Sequence, residues 1–158
     1  MTGTDATTFS PAAETSRGMI AAILWRLEGE PAAGESGFAD VAAHQYYATA
    51  IAWAEENGIV NGTSDTTYSP DAPVTREQLA AILYRYAAYK GYDVTARADL
   101  SAFADAGEIS GYAADALAWA NAAGIVNGTS GTTLDPQGSA IRAQVAAMLM
   151  RFCVNAAQ

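Results

Sequence analysis

The sequence predicts an all-α protein of tandem helix–loop–helix repeats, the first of them incomplete. Three observations carry this. One stretch recurs three times, as TGTDATTFSPAAETSRGMIAAILWR from Thr2, NGTSDTTYSPDAPVTREQLAAILYR from Asn61 and NGTSGTTLDPQGSAIRAQVAAMLMR from Asn127. Apolar residues follow helical spacing in each copy, as at Leu79, Ile82, Leu83 and Tyr86. Glycine at Gly58 and Gly124, each followed by an Asn-Gly turn, separates the helices of the two complete copies.

The full unit has two helices. The first is expected over Gln45–Asn57 and Gly111–Ala123, each ending at a glycine, Gly58 or Gly124, suited to a left-handed position after the helix. Trp53 and Trp119 occupy the same place in both copies, and the many alanines imply close helix packing. A loop follows, Gly58-Ile59-Val60-Asn61-Gly62-Thr63 and its equivalent from Gly124, whose Asn-Gly pair marks a tight turn. The second helix starts near Thr75, where Thr75 and Gln78 form a capping box. Linkers run from Glu28 to Gly37 and from Lys90 to Ala102, and each leads to Phe-Ala-Asp, at Phe38 or Phe103. The expected units are residues 1–30, 38–92 and 103–158. The first is the second half of a repeat, because nothing before Thr2 matches the Phe-Ala-Asp opening or the tryptophan helix.

Composition limits the function. The 158 residues carry a formal net charge of −9 and half of them are apolar, which suits a folded chain and argues against nucleic acid. The apolar runs are too short for a membrane span, and no export signal is expected within the chain. Cys153 is the lone cysteine and reads as a small buried hydrophobe on the last helix. His44, also single, suits a loop or cap. Asn61, Thr63 and Asp65 have the spacing of a calcium loop but lack its glycine and its final glutamate, so no metal and no cofactor is expected. Glu55 and Glu56 are adjacent on a helix and diverge, so they are no acid–base pair, and no catalytic residue is expected.

Positive charge is concentrated. Of eight basic residues, six are arginines at two repeat positions: Arg17, Arg76 and Arg142, then Arg26, Arg85 and Arg151. The first set lies in the opening turn of a helix, where a cation faces the positive end of the dipole at a cost of a few tenths of a kcal/mol. Such a broken local rule points to function. Free backbone N–H groups at the same place would help to hold a carboxylate, and arginine adds a planar fork for it. The alternative is a tie from the arginine to a neighbouring repeat through Asp40 or Asp105. The second set lies nine residues on, roughly 13 Å of rise and half a turn away, so one helix cannot bring both to one site. Capping or a surface ion pair explains it. On these grounds Arg76→Ala is expected to weaken binding and leave stability nearly unchanged, and Arg85→Ala the reverse.

The ordered set Phe38-Ala39-Asp40, Gly58-Ile59-Val60-Asn61-Gly62, Tyr68-Ser69-Pro70 and Val74-Thr75-Arg76-Glu77-Gln78 resembles the S-layer homology domain of bacterial surface proteins. The resemblance covers almost the whole chain. It implies a pseudo-threefold bundle and a non-catalytic, extracellular wall anchor. Its partner would be a secondary cell-wall polymer or peptidoglycan-linked glycan, often pyruvylated. The ligand-binding role falls on Arg76, with Arg17 and Arg142 at matching places. The candidate site takes in Thr75, Glu77, Asp40, Asp105, Gly62 and Gly128, with Trp53 and Trp119 as sugar-stacking candidates whose other reading is core. Ile141 stands where Thr75 caps its helix, so the third site is expected to be the weakest. A self-assembly module is the competing function. The half repeat is also expected to leave an apolar seam open, favouring a dimer or swapped oligomer.

Overall fold

A computed structural model describes residues 1–157. Among them are five α-helices: α1 (Arg17–Leu27), α2 (Ala48–Glu56), α3 (Arg76–Tyr89), α4 (Ala114–Ala122) and α5 (Arg142–Asn155). Short 3₁₀ turns at Ala106–Glu108 and Gly111–Ala113 precede α4. No strand is formed among the described residues. Three isolated antiparallel bridges occur, Ser16 with Pro73, Thr75 with Ser139 and Glu14 with Ile141.

The helix ends follow the local chemistry. Thr75 accepts a hydrogen bond from the Gln78 N–H at 3.2 Å, and the Thr75 N–H donates to the Gln78 side chain at 3.1 Å. At α5, the Gln144 side chain still accepts from the Ile141 N–H, but isoleucine returns nothing. Gly58 and Gly124 sit at φ of 66° and 69°, as a left-handed residue after a helix requires. The helices of the tryptophan type are shorter than expected. The stretch Gly111–Ala113 forms a 3₁₀ turn, and α2 begins only at Ala48.

The chain forms two compact units that cross the repeat boundaries. One holds residues 15–74 with Met1; the other holds residues 2–14 and the chain from Thr75 onward. In the first, α1 packs on α2; in the second, α3 packs on α4. The second helix of one copy thus pairs with the first helix of the next. Alanines 50, 52 and 54 on α2, and Ala116 and Ala120 on α4, are buried and let the helix axes approach. The first unit buries Ile20, Leu24, Ile51, Trp53, Ile59 and Tyr68. The second is built around aromatic contacts, with the Phe152 ring 5.5 Å from that of Tyr86 and 6.4 Å from that of Trp119.

Candidate functional site

Each second helix is docked at its start on the turn loop of another copy. For α1, the N–H groups of Arg17 and Gly18 donate to the carbonyls of Ala72 and Pro70. For α3, those of Arg76 and Glu77 donate to Gly138 and Pro136. For α5, those of Arg142 and Ala143 donate to Ala13 and Pro11. Two of the N–H groups that each helix start leaves without an intrahelical partner are therefore satisfied by loop carbonyls. The expectation that they are free to hold a carboxylate is corrected.

The arginines complete the same docking. Arg17, Arg76 and Arg142 are only 4%, 5% and 7% exposed. Arg17 donates from Nε to the Tyr68 carbonyl and from a terminal nitrogen to that of Asn61, both at 2.8 Å. Arg76 donates from Nε to the Leu134 carbonyl at 2.8 Å. Arg142 donates to the Phe9 and Thr2 carbonyls. The planar fork thus reads backbone oxygens of the loop. The tie to a neighbouring copy is present, but it runs through carbonyls. Asp40 and Asp105 instead hold the loops from beneath. Asp40 accepts from the N–H groups of Tyr68 and Ser69, and Asp105 from those of Leu134 and Asp135. These bonds, that from Leu134 first, hold the Asp105 carboxyl below its ordinary value.

The motif's variable place has a steric cause. A Cβ on Gly18 would meet the Tyr47 ring at 2.7 Å. In the next copy the repeat places Ala113 at the position of Tyr47 and the larger Glu77 at that of Gly18. Buried Glu77 accepts from the Ser110 N–H at 3.0 Å and the Ser110 hydroxyl at 2.6 Å, with the Tyr112 hydroxyl at 3.4 Å.

One groove of about 320 Å³ opens in the second unit. Arg76 from α3 lines it, with the Ile125–Thr129 loop and one face of α5 that includes Gln144, Met148 and Arg151. Two guanidinium groups therefore share a groove in an acidic chain. Burial lowers the Arg76 pKa; Asp135 and Asp105 oppose this, and Arg151 adds to it. Arg76 remains a cation at neutral pH. Gly128, at φ of 88°, forms the turn beside them, and a Cβ there would meet the Thr133 carbonyl oxygen at 2.7 Å.

Of the residues singled out from the sequence, the groove gathers Arg76 and Gly128. Thr75 is engaged as a cap and Glu77 by Ser110. Gly62 forms the equivalent turn of the first unit, where a Cβ would meet the Ser64 carbonyl oxygen at 2.3 Å. Trp53 and Trp119 are buried, and the Trp119 indole donates to the Asp93 carbonyl, so neither offers a ring face to a sugar. Glu55 and Glu56 accept hydrogen bonds from the linker at Gly34, Ser36 and Gly37. Cys153 is exposed rather than buried. Arg151 escaped the sequence reading, which placed its position at the far end of a single helix. It belongs to a different helix from Arg76, and only its retention in all three copies signalled it.

Fold and docking define a class: a tandem helical repeat module in which helix-start arginines hold the loops of other copies. The family model for the S-layer homology domain matches residues 37–80 and 102–146, more than half of the chain, and the chain belongs to that family. It is 33% identical over 150 residues to the surface-layer 125 kDa protein of Lysinibacillus sphaericus, covering 93% of this chain and 12% of that protein. It is likewise 33% identical to an amylopullulanase of Thermoanaerobacterium thermosulfurigenes, covering 90% of this chain and 8% of the enzyme. An endoglucanase of Bacillus sp. (strain KSM-635) is 29% identical, with 94% and 16% covered. The chain thus spans less than a fifth of the length of these relatives. Domains of this family serve in cell-wall anchoring of surface-layer and surface-borne proteins, which puts the chain at the bacterial cell surface.

Proposed function

We propose that this chain anchors a larger protein by binding an anionic secondary cell-wall polysaccharide, a pyruvylated glycan, without catalysis of its own. The observation that carries this reading is the pairing of Arg76 and Arg151 in one groove beside the Asn127-Gly128 turn. Two guanidinium groups close together repel each other, and a carboxylate between them removes that cost. A ketal carboxylate on a sugar has the charge and the planar geometry that arginine forks accept in pairs. The groove is large enough for one or two sugar residues, and weak sites repeated along a polymer add avidity. The net charge of −9 repels an anionic polymer at long range, so binding depends on the local cations rather than on bulk charge.

The test is sedimentation of the chain with purified sacculi, before and after hydrofluoric acid removes the secondary polymer. Binding lost with the polymer, and competed by a soluble pyruvylated fragment, supports the reading. Equal binding to stripped sacculi assigns the chain to peptidoglycan instead. No binding to either surface favours the self-assembly module.

A further inference from the structure

Five asparagines occur in the chain, and three of them precede glycine: Asn57, Asn61 and Asn127. Such pairs carry a latent reaction. A backbone nitrogen can attack the side-chain amide carbon of the residue before it, and glycine, having no Cβ, leaves that approach unshielded. The fold treats the three pairs differently. Asn57 closes α2, where its Nδ2 donates to the Trp53 carbonyl at 2.8 Å and the Gly58 N–H donates to the Glu55 carbonyl at 3.0 Å. Both reacting groups are tied there. At the second pair, buried Arg17 donates to the Asn61 carbonyl at 2.8 Å and braces the turn. At the third, Asn127 is exposed, and neither its side chain nor the Gly128 N–H makes a hydrogen bond among the described residues. The remaining asparagines, Asn121 and Asn155, precede alanine and donate to the carbonyls of Val126 and Ala123.

Asn127 also differs in its surroundings. It lines the same groove as Arg76 and Arg151. Attack on its side chain puts negative charge on Oδ1, and cations fixed in the groove favour that charge as it develops.

We propose that Asn127 is a self-modification site: its deamidation through a cyclic imide with Gly128 places a carboxylate in the groove and ends glycan binding there. The Gly128 nitrogen gives its proton to a solvent base and bonds to Asn127 Cγ. The Cγ–Nδ2 bond breaks, and Nδ2 takes a proton from water and leaves as ammonia. A second water opens the ring at either carbonyl, giving aspartate or isoaspartate at position 127. Both products carry a carboxylate tethered beside the arginines. It fills the role given above to the glycan carboxylate, so the loss of binding rests on that reading of the groove. A tethered anion competes at high effective concentration and repels an incoming one. Isoaspartate also lengthens the backbone of a turn in which the Thr129 N–H donates to the Thr133 carbonyl at 2.9 Å. Anchorage through this groove therefore declines as the chain ages, in one direction only.

The full chain is incubated in mildly alkaline buffer and sampled over days. Peptide mapping with isoaspartate-specific methylation follows each asparagine. The Nε–H signals of Arg76 and Arg151 report on the groove, and sedimentation with polymer-bearing sacculi reports on binding. Asn127 is expected to convert at least about tenfold faster than Asn57, where two hydrogen bonds have to break first. Arg151→Gln should slow conversion several-fold. Both arginine signals should shift in step with conversion at 127, and sacculus binding should weaken about tenfold. Asn127→Gln, whose longer side chain disfavours the five-membered ring, should hold its own starting level of binding through the incubation. Asn127→Asp should bind from the outset as weakly as the aged chain. Conversion of Asn127 no faster than that of Asn57 overturns the proposal. Full conversion with unmoved arginine signals, or with unchanged sacculus binding, also overturns it. An unaged chain that sediments with no sacculi removes the glycan reading instead, and conversion at 127 with the arginine signals then decides the modification by itself.

Discussion

Arg17 and Tyr68, fifty-one residues apart, hold each other reciprocally. The Arg17 Nε donates to the Tyr68 carbonyl at 2.8 Å, and the Tyr68 hydroxyl donates back to the Arg17 carbonyl at 3.1 Å. The Arg17 Cζ also lies 4.5 Å from the centre of the Tyr68 ring. Burial pushes the phenol up to about 12, so it stays a donor through the neutral range. Arg142 repeats half of this pattern over the ring of Phe9, at 4.7 Å.

Removing Arg17 should therefore unfold more than it unbinds. Arg17→Ala removes the donor of the buried Tyr68 carbonyl, which costs about 1–3 kcal/mol, and one further bond to the Asn61 carbonyl. Arg17→Lys should recover only part of this, because an ammonium cannot reach two carbonyls as a planar fork does. Urea melts of the three proteins are the measurement. A stable Arg17→Ala variant would show that the loop is held by its aspartate alone.

The groove separates its two arginines. Arg76→Ala should lose both sacculus binding and about 1–3 kcal/mol of stability, because the Leu134 carbonyl loses its donor. This replaces the expectation from sequence of an unchanged stability. Arg151→Gln should lose binding while stability falls by less than about 1 kcal/mol, as its bond to the Ile125 carbonyl is long at 3.4 Å. Paired melts and sedimentation decide. An Arg151→Gln variant that sediments like the parent protein would remove that side chain from the site.

Acid should loosen the Asp105 grip. Its folded pKa lies below the ordinary value of 3.8, chiefly through the Leu134 N–H bond. A depressed carboxylate contributes stability above its unfolded pKa and loses it as pH falls through the folded one. Stability should drop below about pH 4, and Asp105→Asn should flatten that part of the profile while lowering the plateau. Urea midpoints across the acid range test this; an unaltered profile in the variant would assign the acid limb to other carboxyls.

Ile141→Thr should stabilise the chain by about 0.5–2 kcal/mol by supplying the missing N-cap hydroxyl. The backbone already has the conformation of Thr75, with φ −78° and ψ 160° against −80° and 161°. A thermal melt that does not rise would mean that the isoleucine side chain contributes as much as the cap.

Gly18 and Tyr47 should behave as a coupled pair. Gly18→Ala alone overpacks the contact with the ring and should cost about 1–3 kcal/mol. Combined with Tyr47→Ala, which gives this pair the small residue found at Ala113, the cost should fall short of the sum of the single changes. Strict additivity in the four-protein cycle would place the strain elsewhere, at the Pro70 carbonyl.

The sequence by itself determined the elements that depend on near neighbours. Helical periodicity, the Thr75–Gln78 box, Gly58 and Gly124, and the threefold recurrence of the unit involve residues a few places apart or copies of one pattern. Only the tertiary structure decided where the arginines point. The carbonyls they reach lie 51, 58 and 133 residues away, and no local rule names them. It also decided that Arg151 lines one groove with Arg76, that both tryptophans are core, and that Cys153 is exposed. Each depends on which helix of one copy lies against which part of another. A repeat tells that the copies are alike; the order in which they dock follows from three-dimensional packing alone.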